Sequence, residues 1–357
     1  MPKKERIHRM EKYIDTADPN VYGPEKMGDL LGNVKHIYGP KEVQYDRNEL
    51  IALCVVRDGR VYIQSFMEHY LAMGFKHIVL LDNNSIDDTI EIAKPYENIT
   101  VLQTTLPFKN YKFLMKQFLI RRFGEHRWSL CADIDELFDF PFSDILTLGE
   151  FVEYLNANTF TAVVAYMLDM FSDGRLDEMA NADEDLKNIY RYYDITGIQN
   201  LNFEEFCPHN KITNPRIANY RGGIRDTLFN TYDRLTKTPL IFCDGKIKPM
   251  WYSSHKVKSA LIADISVVLY HYKFADDFIK FVKRVVREEN YYKNSEKYKQ
   301  YLEVLEENPK LSIMRETARE LTSVNDLIEN RFLAISEKFV DWIQKKHSGI
   351  RPTPKGL

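Results

Sequence analysis

The chain has 357 residues, of which 44% are hydrophobic and 28% are charged, and its formal net charge is -3. This balance is typical of a soluble globular protein with a sizeable core, and it argues against a strongly basic protein that coats nucleic acid. The polar N-terminus and the lack of an apolar run of about 20 residues indicate neither a secretory signal nor a membrane span. Four scattered cysteines fit no zinc site or disulfide framework, which favours a reducing compartment. We therefore expect a cytoplasmic protein that at most lies peripherally at the inner face of a membrane.

The first half of the chain alternates between two kinds of apolar pattern. Residues 1–47 are polar and proline-containing, which predicts an irregular N-terminal extension. Continuous apolar runs then predict strands at 50–56, 77–81, 99–102 and 128–132. Apolar residues at helical spacing predict helices at 62–71, 90–93 and 111–119. Such alternation predicts an α/β fold with a mostly parallel sheet covered on both faces.

Beyond residue 140 the alternation weakens. The later predicted elements are a strand at 162–168, a polar segment at 172–235, a strand at 265–270, and helices at 274–301 and about 321–346. We divide the chain into the extension 1–47, a main domain 48–301 with halves 48–140 and 141–272, and a helical C-terminal extension 302–357.

Acidic clusters follow two of the predicted strands. Asp133 and Asp135 come after 128–132, and the stretch DNNSIDDT begins at Asp82. Because ligands bind at the carboxyl ends of strands in such sheets, both clusters should face one crevice. If strand geometry continues to Asp135, the two carboxylates point the same way and suit Mg2+ or Mn2+. The alternatives are a solvated acidic loop for the first cluster and a helix N-cap for the second.

The N-terminal half resembles the GT-A nucleotide-sugar glycosyltransferases, in particular family 2 and the related family 92 type, in "ALCVVRDGRVYIQSFMEHYLAMGFKHIVLLDNNSIDDT" and "RWSLCADIDELFDF". Later stretches are similar to the later blocks of bacterial family 2 members: "GGIRDTLFN", "LTKTPLIF", "SSHKVKSALIADISVVLYHYKF" and "DDFIKFVKRVVREENYY". The resemblance covers roughly residues 49–301. It implies a GT-A (Rossmann-like) fold, with a mostly parallel central sheet flanked by helices and followed by a C-terminal helical extension.

The resemblance also implies a role for each matching residue. The DID segment corresponds to the DXD motif of the family, so Asp133 should contact the ribose or the metal. Asp135 should be the main ligand of a divalent cation, Mn2+ or Mg2+, and His271 should complete that metal site. Asp82 should contact the nucleotide base, with a UDP-sugar as the expected donor. On the residues alone, a single histidine after an apolar strand is more often structural.

Basic residues of the later part are candidates for binding the donor diphosphate. They are Arg221, Arg225, Lys237, Lys246 and Lys248. Arg225 and Lys237 lie in the blocks that match the family, so they are favoured. The alternative is that these side chains are simply solvated, as most surface basic residues are.

The implied reaction is transfer of a sugar with inversion at its anomeric carbon. A cation stabilises the departing nucleoside diphosphate, and a general base on the opposite face activates the acceptor hydroxyl. The candidate bases are Asp169, Asp226 and His255, of which Asp169, at the end of a predicted strand, is preferred. The acceptor would be a glycan, a lipid-linked glycan or a protein, and no nucleic-acid partner is expected.

Two other classes of protein stay open. An Asp-dependent phosphatase also places D-x-D after a buried strand, although usually at the first strand of the chain. A non-catalytic module that binds a nucleotide sugar or a glycan would keep the same residues without turnover. The basic predicted helix 274–301 would suit contact with an anionic membrane, and an amphipathic helix packed on its own domain is the alternative reading.

Overall fold

A computed structural model describes residues 24–178, 185–250, 253, 255–275, 278–288 and 295–347. Its strands are β1 (Lys35–Tyr38), β2 (Ile51–Val56), β3 (His77–Asp82), β4 (Ile99–Gln103), β5 (Trp128–Cys131), β6 (Glu136–Asp139), β7 (Ala162–Asp169), β8 (Tyr192–Tyr193), β9 (Ile198–Asn202), β10 (Ala218–Gly222), β11 (Thr236–Phe242), β12 (Ile262–His271) and β13 (Arg319–Glu320). Nine of them form one sheet in the order β1-β4-β3-β2-β5-β11-β7-β12-β6. The remaining four form two small sheets, β10-β9 and β13-β8.

Six strands of the large sheet run in one direction. They are β2, β3, β4, β5, β7 and β12, whereas β1, β6 and β11 run the opposite way. Alternate residues of β2 face two different apolar clusters, with Ala52 and Cys54 on one side and Leu53 and Val55 on the other. A strand buried on both faces needs such a continuous apolar run. The predicted fold class, an α/β protein with a mostly parallel central sheet flanked by helices, is confirmed.

Helices cover both faces of the sheet. They are α1 (Pro24–Asn33), α2 (Arg60–Ala72), α3 (Thr89–Ala93), α4 (Phe108–Phe123), α5 (Leu148–Ala157), α6 (Leu186–Ile189), α7 (Phe203–Phe206), α8 (Ile224–Phe229), α9 (Phe278–Glu288), α10 (Glu296–Glu307), α11 (Asn325–Glu329) and α12 (Glu337–Lys346). Apolar residues of α2, α5 and α12 pack on one face, and those of α1 and α4 pack on the other. None of the described helices is long and apolar enough to cross a bilayer.

Strand β11 lies in the middle of the sheet but is not among the predicted strands. Its sequence TKTPLIF contains Pro239, which has no backbone N–H to donate to a neighbouring strand. The pairing of β11 with β7 is irregular between Lys237 and Leu240, so the proline falls where the ladder is interrupted. Because β11 joins β5 to β7, the two predicted halves of the main domain share one sheet.

The prediction of an irregular extension over 1–47 is wrong for residues 24–38, whereas residues 39–47 contain no helix or strand. Residues Pro24–Asn33 form α1, and Lys35–Tyr38 form β1, which pairs with β4 at the sheet edge. Met27 and Leu30 are fully buried against α4, which explains why this polar segment is ordered. Residues 1–23 of the extension lie outside the described part.

Both long helices predicted for the C-terminal part are divided in the structure. The segment 274–301 contains α9 and the start of α10, and Ser295 before α10 has a φ of 63°, which no helix interior allows. The segment 321–346 contains α11 and α12, and Arg331 between them has a φ of 58°. The helical spacing of apolar residues continues across each break, so this spacing does not predict where one helix ends and the next begins.

Candidate functional site

A cavity of about 670 Å³ lies at the carboxyl ends of the parallel strands. Its walls include Asp58 after β2, Asn83 after β3, the turn Asp133–Glu136 after β5, and His271 at the end of β12. Residues of α9 and α10 cover it from the other side. The acidic segment after β5 lines this cavity with Asp133, Asp135 and Glu136, whereas the stretch that begins at Asp82 contributes Asn83 and Ile86 and none of its carboxylates.

Asp133 and Asp135 lie in the connection between β5 and β6, and Glu136 is the first residue of β6. Strand β5 ends at Cys131, and β6 begins at Glu136, so strand geometry does not continue to Asp135. The condition on which Asp133 and Asp135 were expected to point the same way is therefore not met. Each carboxylate instead has its own set of partners.

Asp133 is held between two buried lysines. Its Oδ1 lies 2.5 Å from Lys116 Nζ, and its Oδ2 lies 2.8 Å from Lys237 Nζ. Lys237 also pairs with Glu136, whose side chain accepts the backbone N–H of Asp133 at 3.0 Å. Burial raises the pKa of Asp133, but the two ammonium groups outweigh it and hold this pKa well below its usual range.

These ion pairs change two predicted roles. Both oxygens of Asp133 are engaged by lysines, so Asp133 is not free to coordinate a metal in this arrangement. Lys237 is 4% exposed, and its ammonium group is paired with Asp133 and Glu136. It is therefore not available to bind a diphosphate in this arrangement. The ion pairs of Lys237 with Asp133 and Glu136 bracket Asp135 in the sequence.

Asp135 and His271 meet inside the cavity. Asp135 Oδ2 lies 3.3 Å from His271 Nε2, and His271 Nδ1 lies 2.5 Å from Asp169 Oδ1. Burial alone lowers the pKa of His271, but the carboxylates of Asp135 and Asp169 outweigh burial and raise it. For Asp135, burial raises the pKa and His271 counteracts it, which leaves this pKa at about 2.

The donor set at this point fits a divalent cation only in part. Asp135 offers a carboxylate oxygen and His271 a ring nitrogen, and both face the same cavity. Within the described part of the chain, no group of three or more His, Cys, Asp or Glu side chains is arranged to hold a metal ion. Cations such as Mg2+ are often held by one or two protein ligands together with substrate phosphates and water. The two residues suit a site that a substrate completes.

The structure contradicts Asp169 as the general base. Asp169 is 5% exposed and does not line the cavity, and its Oδ2 accepts Arg225 Nε at 2.7 Å. Burial raises the pKa of Asp169, but Arg225 and His271 outweigh it and lower this pKa far below its usual range. Both oxygens of Asp169 are therefore occupied in this arrangement, by Arg225 and His271.

The other predicted residues either line the cavity with their charged group paired or do not line it. Arg225 does line the cavity, but its guanidinium is buried and paired with Asp169 and Asp233. Asp82 is 1% exposed and accepts the backbone N–H of Ser85 at 3.0 Å and Gln103 Nε2 at 2.9 Å. Its neighbour Asn83 lines the cavity in its place. Like Asp82, Asp169 and Lys237, five further predicted residues are absent from the cavity wall: Arg221, Asp226, Lys246, Lys248 and His255.

Helix α4 supplies lysines that the sequence interpretation missed. Lys109 and Lys112 line the cavity, and Lys116, one turn further on, pairs with Asp133. Burial lowers the pKa of Lys112 to about 8. Spacings of three and four residues place all three lysines on one side of the helix, and this stripe in KNYKFLMK is the signal that would have found them.

A second missed residue is Asp58, in the loop after β2. It accepts the backbone N–H of Ile86 at 2.9 Å and Arg284 Nη1 at 3.3 Å. Asp58 thus joins the loops after β2 and β3 to α9, which covers the cavity. It has a φ of 51°, a conformation that Asp tolerates better than most residues.

No protein-family model and no curated protein sequence matches this chain. Among solved structures, the chain is similar to a crystal structure of 4-diphosphocytidyl-2C-methyl-D-erythritol synthase, with 14% identity over 40% of this chain and 67% of that chain. The TM-score of this pair is 0.25. A TM-score this low carries no information about the functional site.

Proposed function

We propose that this protein is a metal-dependent, inverting glycosyltransferase that moves a sugar from a nucleoside diphosphate to a hydroxyl acceptor. The observation that carries the proposal is the approach of Asp135 and His271 within the strand-end cavity, with 3.3 Å between Oδ2 and Nε2. Asp135 and His271 would hold Mn2+ or Mg2+, and the donor diphosphate would supply further oxygen ligands. Such a cation stabilises the charge that develops on a departing diphosphate.

The charge of the cavity wall supports an anionic donor. Lys109 and Lys112 of α4, Arg57 after β2 and Lys273 after β12 all line it. Basic side chains in a partly enclosed site raise the local concentration of an anionic ligand. The size of the cavity, about 670 Å³, is in the range of small-molecule sites. A UDP-sugar remains the preferred donor, on the family resemblance.

The surroundings of Asp133 favour a transferase over a phosphatase. A phosphatase that uses D-x-D needs the first aspartate as a nucleophile with a free oxygen. Both oxygens of Asp133 are instead ion-paired, to Lys116 and Lys237. We assign no general base, because Asp226 and His255 do not line the cavity and Asp169 is fully engaged.

The proposed acceptor is a glycan, a lipid-linked glycan or a protein hydroxyl. Peripheral contact with an anionic membrane is part of the proposal, because Lys280, Lys283 and Arg287 lie on the exposed side of α9. The apolar side of α9 is not available for insertion, since Phe278 and Val282 are buried against the rest of the protein. Such contact would therefore be electrostatic and sensitive to salt.

The first test is a thermal-shift panel of UDP, GDP, CDP and dTDP, each with and without Mn2+. A ligand that binds only the folded state stabilises it by about 2.7 kcal/mol at a hundredfold excess over Kd. We expect one nucleotide to raise the Tm of the wild type only with Mn2+, and Asp135→Ala and His271→Ala to abolish the shift. Asp144→Ala, an exposed carboxylate outside the cavity, is the control and should keep it.

Turnover is then measured with the matching nucleotide sugar. Release of the nucleoside diphosphate should require Mn2+ and stop on addition of EDTA. Stabilisation without release, across a panel of sugar donors and acceptors, would indicate a binding module. Hydrolysis of a generic phosphate ester with no nucleotide-dependent shift would favour the phosphatase and contradict the proposal.

A further inference from the structure

Asp169 and His271 are neighbours because of strand register. In the parallel pair of β7 and β12, Asp169 is the register partner of His271, and each is the last residue of its strand. Side chains of register partners lie on the same side of a sheet. The pairing of two apolar strands therefore brings this carboxylate beside the histidine.

The contact between them fixes how the imidazole is protonated. Asp169 is 5% exposed, and its Oδ1 lies 2.5 Å from His271 Nδ1. A carboxylate only accepts hydrogen bonds, so Nδ1 must carry the proton. The lone pair of a neutral ring is then on Nε2, which faces Asp135 at 3.3 Å.

Arg225 holds Asp169 in place through an ion pair. Gly222 and Gly223, with φ of 84° and 73°, lead into α8, and Arg225 lies in its first turn. Its Nε donates to Asp169 Oδ2 at 2.7 Å and its Nη1 to Asp233 at 3.1 Å. A buried carboxylate without such a partner would be costly. Both oxygens of Asp169 thus accept hydrogen bonds within the protein: Oδ1 from His271 and Oδ2 from Arg225.

We infer that Asp169 is a positioning residue that holds His271 with Nε2 towards the cavity, ready to coordinate the cation shared with Asp135. The inference rests on the proposed function, in which that cation is bound. Histidine ligands of metals generally donate their second ring N–H to such a partner, and losing the partner weakens metal affinity by about 10- to 100-fold. Asp169 therefore acts on the metal without touching it.

The test measures Mn2+ affinity from the free-ion EPR signal, at fixed pH and with saturating UDP. Asp169→Asn should weaken Mn2+ binding by about 10- to 100-fold. The control is Asp264→Asn, because Asp264 is an equally buried carboxylate on β12, bonded to the Tyr154 hydroxyl and about 23 Å along the strand from His271. It should lower stability but leave Mn2+ affinity within about twofold.

A double-mutant cycle separates positioning from a general structural role. In a His271→Gln background, Asp169→Asn should cause no further loss, because the residue it positions is gone. If Asp169→Asn binds Mn2+ like the wild type, or causes an equal loss with and without His271, the inference is overturned. If Asp169→Asn does not fold, Asp169→Glu serves instead, since it keeps a charge for Arg225 but moves the oxygen from Nδ1.

Failure of the proposed function gives a different result. In that case the wild type itself binds no Mn2+ with any of the four nucleotides, and the role of Asp169 is overturned with it. Failure of the inference alone leaves wild-type binding intact, still lost in His271→Gln, and unaffected by Asp169→Asn.

Discussion

At the scale of single residues, the buried charges beneath the cavity are the least replaceable feature. Glu136 is fully buried, and its cation is Lys237, which also neutralises Asp133. Removing one partner of a buried ion pair leaves an uncompensated charge, which is far more costly than the net value of the pair. Glu136 therefore depends on Lys237 for its neutralisation, whereas Asp133 is also paired with Lys116.

Lys237→Met should lower the free energy of unfolding by about 3–5 kcal/mol. Guanidinium denaturation followed by circular dichroism measures this change. The exposed Lys246, replaced in the same way, is the control and should change it by less than about 0.5 kcal/mol. Adding Glu136→Gln to Lys237→Met should recover part of the loss, because the buried charge is then removed. Wild-type stability in the single variant would contradict the ion-pair interpretation.

Strand-end position is enough to identify Asp135 and His271 as candidates from the sequence. It is not enough to separate them from Asp133 and Asp169, which occupy equivalent positions but face lysines or an arginine. Those partners are far away in sequence. Lys237 reaches Asp133 only because β11 lies beside β5, and no local pattern predicts that pairing.

At the scale of elements, α2 is attached to β6 by two buried side chains, Tyr70, whose hydroxyl donates to the carbonyl oxygen of Glu136 at 2.9 Å, and His69. His69 in the last turn of α2 donates from Nε2 to the carbonyl oxygen of Phe138 at 2.6 Å, and its side chain is buried. Burial, with a smaller effect from Lys187, lowers the pKa of His69 to about 3. The folded protein therefore holds this ring neutral well below the pH at which an exposed histidine becomes charged.

This contact predicts a loss of stability in acid. Because the folded-state pKa lies below the unfolded value of about 6.5, the unfolded chain binds a proton that the folded protein does not. Stability should be complete above that pH and fall by about 2 kcal/mol between pH 7 and pH 5 from this residue alone. His69→Gln should remove this part of the slope in denaturation curves at several pH values, with the exposed His36→Gln as control. Equal slopes for wild type and His69→Gln would rule out the contribution.

The elements themselves were predicted unevenly, for physical reasons. Continuous apolar runs identify β2, β3, β4 and β5, because strands buried on both faces have no other composition. Strand β1 is exposed and β6 begins with an acidic residue, so neither shows a continuous apolar run, and β11 contains a proline. The breaks between helices at Ser295 and Arg331 depend on backbone conformation rather than on apolar spacing.

At the scale of the whole molecule, α12 packs on the same core as the sheet. Phe339 is fully buried, with its ring centroid 4.7 Å from that of Tyr154 and 6.5 Å from that of Phe151. Whether residues 302–357 form a separate extension, as predicted from the sequence, can be decided by how they unfold.

Phe339→Ala should lower the free energy of unfolding by about 3–5 kcal/mol, because it leaves a cavity between α5 and α12. We also expect one cooperative transition, in which circular dichroism and the fluorescence of Trp128 and Trp342 change together. The exposed Lys345→Ala is the control. An earlier, separate transition reported by Trp342 would indicate that the C-terminal segment unfolds independently.

The central place of β11 also bears on how the chain folds during synthesis. Its neighbours β5 and β7 end at Cys131 and Asp169, whereas β11 begins only at Thr236. Until that later segment leaves the ribosome, both neighbours present unpaired backbone edges, and such edges promote association with other chains. This protein therefore most needs protection from aggregation during synthesis, after its N-terminal half has emerged and before β11 has.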